Sequence, residues 1–252
     1  MNIVIPQNIF SALFALSLPD KYKDKVLIKE SSLITAHLEN NKNDVALIPS
    51  LDLLKHEDLF VSKKIGISFN GVLSNSYFYF IPEQTTFNKI LLRGDLSSND
   101  IILSKILFPE LFGVEPEFVI DVNPIDFDNN NYLVVGIENE EHPVTKNGIS
   151  FSEQIDAMID LPYVNFALAS YDKDAILEIE NELAGITETI EKKIDELIGK
   201  LKLGSELRNY LLDNFQSVYY DLTEIEIEGL IELLKLPYYH GITKEMIDLK
   251  FA

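Results

Sequence analysis

The sequence predicts an α/β protein folded as two lobes with a cleft between them, and three observations carry that expectation. Strand-like and helix-like segments alternate from the first residues onward. The strand-forming segments break near residues 79–82 and resume near 169–171, dividing the chain into a first lobe of residues 1–82, completed by 171–252, and a second lobe of residues 83–170. The last third is dominated by amphipathic helical patterns that complete the first lobe. Such a plan gathers strand ends and helix N-termini at one crevice, the usual place for a small ligand.

Each element has a local cause. "NIVI" is a short strand that leads through Pro6 to Asn8, a good N-cap for a helix over Ile9–Leu16. "KVLIKE" is a strand, "SLITAHLEN" a short helix and "DVALIPS" a buried strand ending at a proline-marked loop, which is a βαβ rhythm. "FVSKKIGISFN" and "SNSYFYFIP" are rich in aromatic and β-branched residues, and Asn70-Gly71 between them is a hairpin turn signal. A strand at "KILLRG", a helix over 99–107 and strands at "PEFVIDV" and "NYLVVGIE" follow. The acidic, lysine-rich segment from Asp172 to Lys202 fits one or two solvated helices that bury Ile176, Ile179, Leu183, Ile186 and Ile190. After Gly204, "SELRNYLLDNF" and "TEIEIEGLIELLKL" read as helices separated by "QSVYYDL".

Composition narrows the chemistry. With 252 residues, 46% of them hydrophobic, the chain can bury a sizeable core. It has no cysteine, so no disulfide framework or thiolate metal site, and His37, His56, His142 and His240 lack metal-ligand spacing. No metal is expected. A net charge of −20 opposes binding to nucleic acid or an anionic membrane surface, because a phosphate backbone needs clustered Lys and Arg. "NIFSALFALSL" has the apolar character of a signal-peptide core, but no basic residue precedes Lys21 and no small-x-small site follows, so it is expected to be folded and the protein cytoplasmic. No apolar run reaches the length of a membrane span.

The stretch "GDLSSNDIILSKILF", residues 94–108, has two readings. Ser97 or Ser98 caps a helix, Asp100 suits its dipole in the first turn, and Ile101, Ile102, Leu103, Ile106 and Leu107 form its apolar face. If that helix start faces the cleft, the same N–H and hydroxyl groups can hold an acidic ligand. Asn8 carries the same pair of readings, cap or ligand donor, and Asn70 is a turn residue with any ligand contact secondary. The two-lobed plan brings Asn8, Ser50, Asn70 and Ser97–Asn99 near one another.

In order and spacing, "DVALIPSLDLL", "GISFNGVLSNSYFYF", "GDLSSNDIILSKILF", "LPYVNFALAS", "LRNYLLDNFQSVYYDLTEIEIEGLIELL" and "GITKEMIDLKF" resemble the menaquinone-biosynthesis family that includes chorismate dehydratase of the futalosine route. The resemblance spans nearly the whole chain. It implies a type 2 periplasmic-binding-protein-like fold in a cytoplasmic, cofactor-free lyase that removes water from chorismate, a small acidic cyclic substrate, to leave an enolpyruvyl benzoate. The lyase reading places Asn8, Ser50, Asn75, Ser97 and Ser98 on the substrate, and the cleft of the two-lobed plan adds Asn70 and Asn99 as substrate-binding positions, with no residue assigned as acid or base.

Departures from the family pattern are equally specific. "IPQNIFSA" keeps only Asn8 of the opening motif, and Asn75 stands where a hydroxyl is usual. "DLSSNDI" keeps Asp95, Ser97 and Ser98 but has Asn99 at the arginine, and "VGIE" lacks the family's aspartate. Two carboxylates on a ligand are best met by Arg, and the chain has only Arg93 and Arg208. Two functional classes follow: a lyase of the chorismate dehydratase type, and a non-catalytic small-molecule-binding paralogue of the same fold.

Overall fold

The computed structural model describes residues 1–84, 86–141 and 148–252; His142 lies outside them. Strands β1 (Ile3–Pro6), β2 (Val26–Lys29) and β3 (Val45–Pro49) form the parallel order β2-β1-β3. Helices α1 (Ile9–Ser17), α2 (Asp20–Lys23) and α3 (Ser31–Asn40) fill the crossovers. β1 and β3 are buried at every residue, as expected for strands covered on both faces.

The sheet then grows by long-range pairing. β4 (Phe60–Phe69) does not fold back in a hairpin across Asn70-Gly71. The next strand, β5 (Ser76–Tyr79), belongs to a second sheet with β6 (Lys89–Gly94), β7 (Glu117–Ile120), β8 (Tyr132–Val135) and β9 (Ile149–Ser150), in the order β7-β6-β8-β5-β9. The chain returns to the first sheet as β10 (Tyr163–Ser170), which lies antiparallel between β3 and β4. β11 (Val218–Asp221) and β12 (Lys250–Phe251) pair the two ends of β4, closing an edge that would otherwise be open.

Two expectations are corrected here. Strand membership places Ser76–Tyr79 with the second sheet and Tyr163–Ser170 with the first, so the chain passes between sheets at 70–75 and 151–162 rather than at 82 and 171. "QSVYYDL" holds a strand, and Asn70 N–H donates to Ser217 O at 2.9 Å, extending that ladder where a hairpin turn was expected. The cause is the same in both cases. A run such as "YVNFALAS", buried at all eight positions, shows that it is covered but not which strands cover it.

One continuous apolar core runs through both lobes. The C-terminal helix Glu224–Tyr239 packs on β10, on the turn Ser50–Lys55, on the helix Phe151–Ile159 and on α4 (Ser98–Leu107), so it bridges the first sheet and helices of the second lobe. The two crossing segments are tied by one carboxylate. Asp156 Oδ2 accepts from Gly71 N and Oδ1 from Tyr163 N, both at 2.9 Å.

Burial raises the Asp156 pKa to about 7, with the two N–H bonds opposing it and Glu153 adding to it. A carboxyl whose pKa is raised on folding stabilises the fold fully below its unfolded value near 3.8, and that contribution is lost as pH rises through about 7. We therefore expect the melting temperature of the wild type, relative to Asp156→Asn, to fall between pH 5 and pH 8. A pH-independent difference in differential scanning fluorimetry contradicts this.

Candidate ligand cleft

The end of β1 opens the site. Pro6 ends the strand, and Asn8, in extended conformation, caps α1 by accepting from Ser11 N through Oδ1 at 2.8 Å. Its Nδ2 is buried and has no hydrogen-bond partner among the described residues, although the residue is only 5% exposed. Such a donor costs about 1–3 kcal/mol if left dry and unpaired.

Asn8 lines a cavity of about 340 Å³. Ile5, Pro6, Ala12, Ala15, Leu16 and Ile28 line it from the first lobe, Ile137 from the turn after β8, and Leu201 and Leu203 from the segment after the helix Ile194–Lys200. Its described charged lining is Glu140 and Lys200, and Lys200 Nζ lies 2.7 Å from Glu196 Oε1. Two further hollows adjoin it. One of about 400 Å³ shares Gln7 and Ile137 and reaches Glu30, Asp95 and Glu138. The other, about 30 Å³, is lined by Asn75, Tyr77, Asn139 and Tyr210 and has room for about one water.

Second-lobe groups are brought here by backbone contacts. Asn75, 6% exposed, accepts through its carbonyl from Gly136 N at 2.8 Å, which fixes the turn after β8. A Cβ at Gly136, whose φ is +73°, would lie 3.5 Å from Gln7 O, so the lobes meet backbone to backbone at this point. Asp95 crosses the cleft. Its two oxygens accept from Ser31 N at 2.8 Å and Ser31 Oγ at 2.7 Å, capping α3 from the opposite lobe. Burial raises its pKa against those two bonds, with the charge of Glu30 adding to the rise.

The start of α4 is occupied by the chain itself. Ser97 and Asp100 form a capping box in which Asp100 accepts from Ser97 N at 2.8 Å, Ser97 Oγ at 2.6 Å and Ser76 Oγ at 2.6 Å. A buried carboxylate of the chain thus occupies the helix start that the ligand reading would give to an acidic ligand, and the capping reading holds. Burial raises its pKa, and the Ser76 and Ser97 bonds hold it down.

Asn99 is likewise committed to the protein. Oδ1 accepts from Leu51 N at 2.8 Å, and Nδ2 donates to Asn165 O at 2.6 Å and Asn165 Oδ1 at 2.9 Å. Ser50 Oγ donates to Val164 O at 2.6 Å. Of the seven sequence-derived positions, Asn8 and Asn75 line cleft cavities, the side chain of Asn99 joins the lobes, and those of Ser50 and Ser97 bond within the first and the second lobe respectively. Ser98 Oγ is buried and unpartnered at the first turn of α4, and Asn70 is exposed at a crossing segment.

Arg93 pairs with Glu138 at 2.7 Å and Asp121 at 3.3 Å within the second lobe and also donates to Asn123 O. The sequence reading missed Gln7, Ile137, Leu201, Leu203 and Asn139. None has a local signature, because each reaches the cleft through a turn whose direction long-range packing sets.

No family model matches the sequence, and no curated protein matches it. Solved structures share its architecture. The periplasmic aliphatic sulphonate binding protein SsuA from Escherichia coli aligns over 99% of this chain and 95% of its own, with a TM-score of 0.61 and 9% identity. The chain has a solute-binding-protein fold. A ligand-binding component of an ABC-type import system from Staphylococcus aureus, with zinc bound, matches 100% of this chain and 95% of its own at a TM-score of 0.59 and 12% identity. Protein AF1704 from Archaeoglobus fulgidus matches 96% and 98% at 0.56 and 13%. At such identities the likeness concerns the solute-binding-protein fold alone. Among the described residues no helix is long and apolar enough to cross a membrane.

Proposed function

We propose that this chain is a small-molecule-binding protein that seats its ligand in the interlobe cavity against Asn8. The observation that carries the reading is the interlobe cavity of about 340 Å³ itself, lined by Asn8 and by aliphatic side chains of both lobes and in the size range of small-molecule sites. A fragment library screened by thermal shift on the full chain tests it. Hits are expected on the wild type and lost in Ala15→Phe, which fills the cavity from α1; no hits, or hits unaffected by Ala15→Phe, overturn the reading.

A second reading, removal of water from chorismate to leave an enolpyruvyl benzoate in menaquinone biosynthesis, is favoured by one observation. Asn8, Asn75 and the turn Val135–Glu138, which stand at motif positions of the family that the sequence resembles, border adjoining hollows. Against it, chorismate brings two carboxylates to a cleft whose described cations are Lys200, paired to Glu196, and Arg93, spent on Glu138 and Asp121. The helix start that would receive a carboxylate already holds Asp100. We expect no turnover when chorismate is incubated with the protein and followed by chromatography. Appearance of the enolpyruvyl benzoate at a rate proportional to protein reverses the order of the two readings.

Cytoplasmic residence belongs to the same proposal, since removal of residues 1–17 deletes β1, Asn8 and α1 and with them one wall of the cavity. Mass spectrometry of cell fractions is expected to find peptides of residues 1–17 in the cytoplasm. A form starting after Ser17 contradicts it.

A further inference from the structure

We infer that residues 199–204 form a strap that closes over a molecule bound in the interlobe cavity. The inference rests on the cavity-binding reading and adds how the site closes. The pattern of the segment, its attachment and its backbone carry it.

The sequence Gly-Lys-Leu-Lys-Leu-Gly runs from the last turn of the helix Ile194–Lys200 to the start of the helix Ser205–Asn214. Exposure alternates along it. Lys200, Lys202 and Gly204 are exposed, while Leu201 and Leu203 are half-buried and line the cavity. The lysines keep one edge of the segment in water, and the leucines give the other edge to the site.

Both ends are held and the middle is not. Leu197 and Ile198 are buried before the segment and Leu211 after it, where Tyr210 Oη also donates to Val72 O at 3.3 Å. Among the described residues, the N–H groups of Lys202, Leu203 and Gly204 donate to no backbone carbonyl, so little local bonding opposes a movement of this stretch. Lys202 has φ +55°, a left-handed conformation that its side chain disfavours. A Cβ at Gly199 or at Gly204 would meet nothing within 4 Å, so packing does not demand glycine at either end. Two glycines where side chains fit leave both ends free to rotate.

Closure also has a driving force. Ile28 and Ile137 line the cavity from opposite lobes and are 64% and 43% exposed. An apolar molecule between these side chains and the two leucines lets the strap move inward and remove all four from water, a gain that scales with the area covered. The gain requires the molecule, so binding and closure are coupled.

The chain has no cysteine, so spin labels can be placed at chosen pairs. A strap pair, Lys202→Cys with Asp24→Cys, reads the segment against the first lobe, and a helix pair, Asp195→Cys with Asp24→Cys, reads the helix that precedes it. Both are measured on the full chain by double electron–electron resonance, with and without N-phenyl-1-naphthylamine, a neutral apolar probe whose fluorescence reports its own binding. The strap pair is expected to show a broad distance distribution that becomes narrow and shifts its mean when the probe saturates, while the helix pair stays unchanged. The double variant Gly199→Ala/Gly204→Ala stiffens both ends. It is expected to narrow the strap-pair distribution without the probe and to slow probe association about threefold, with a melting temperature equal to or above that of the wild type. Probe binding that Ala15→Phe abolishes, together with a strap pair that does not move, overturns the strap and leaves cavity binding standing. Probe association indifferent to the double alanine variant overturns it as well. If the probe does not bind, the distances without it decide: a single narrow strap-pair distance overturns the inference, and a breadth that the double alanine variant removes supports it. The fragment screen then decides separately whether the cavity binds anything.

Discussion

Asn99→Ala is expected to lower the unfolding free energy by roughly 3–5 kcal/mol, because it orphans the Leu51 N–H and leaves Asn165 without its donor, each a buried loss of about 1–3 kcal/mol, and opens a gap at a fully buried position. Asn99 joins the start of α4 in the second lobe to the turn after β3 and to β10 in the first, so the damage falls on the contact between lobes. Asn99→Asp should be worse than Ala. Its carboxylate still accepts from Leu51 N, but it faces Asn165 O and Asn165 Oδ1 with no proton to share. Asn99→Arg, which restores the residue of the family pattern, puts a guanidinium in a site that is 0% exposed and is expected not to fold. Urea unfolding of the three variants provides the check. A loss under about 1 kcal/mol for Ala, or a soluble, cooperatively folding Arg variant, means that this position is open to the cleft and available to a ligand.

Gly94→Ala is expected to cost roughly 3–5 kcal/mol, the sum of left-handed strain and overpacking in a tight contact. Gly94 ends β6 with φ +90°, and a Cβ there would lie 1.9 Å from Val135 O, on the neighbouring strand. Neither strand can move alone. Displacing Val135 disturbs the turn at Gly136 that faces Gln7, and displacing Gly94 drags Asp95 from Ser31. The variant should therefore lose stability and small-molecule binding together. A Gly94→Ala protein with wild-type melting temperature would show that the β6–β8 approach is looser than these distances require.

Much of the fold is legible from local physics. The strand at Ile3–Pro6, the Asn8 cap and the helix over Ile9–Ser17 follow from an apolar run, a proline and a side chain that can accept from the first turn. The helix after Ser97 follows from its capping box and apolar face. The segment from Asp172 to Lys202 reads as helical from the spacing of its isoleucines, although it breaks into three helices where Gly185 takes a positive φ and where Lys193 leaves helical geometry. The candidate site is legible in the same measure: Asn8 can be named from sequence because capping singles it out.

What local chemistry leaves undecided is partnership. A buried strand advertises that it is covered, but its hydrogen bonds go to residues far along the chain, so β5 and β10 could not be assigned to their sheets from their own residues. A carboxylate in the first turn of a helix suits the dipole whether or not a ligand is near. Only the approach of Ser76 from another strand makes Asp100 a buried plug at a place where an anion could have bound. Asn99 and Asn8 look alike in sequence, two amides at helix starts. In the fold Asn99 meets Leu51 and Asn165, which satisfy both ends of its amide, while Asn8 accepts from Ser11 N at Oδ1 and leaves Nδ2 without a partner among the described residues. The chain thus declares its elements through spacing and caps, which act over a few residues. Which polar groups remain free for a ligand is set by contacts across the two lobes, because hydrogen bonds saturate and the partners arrive from distant parts of the sequence.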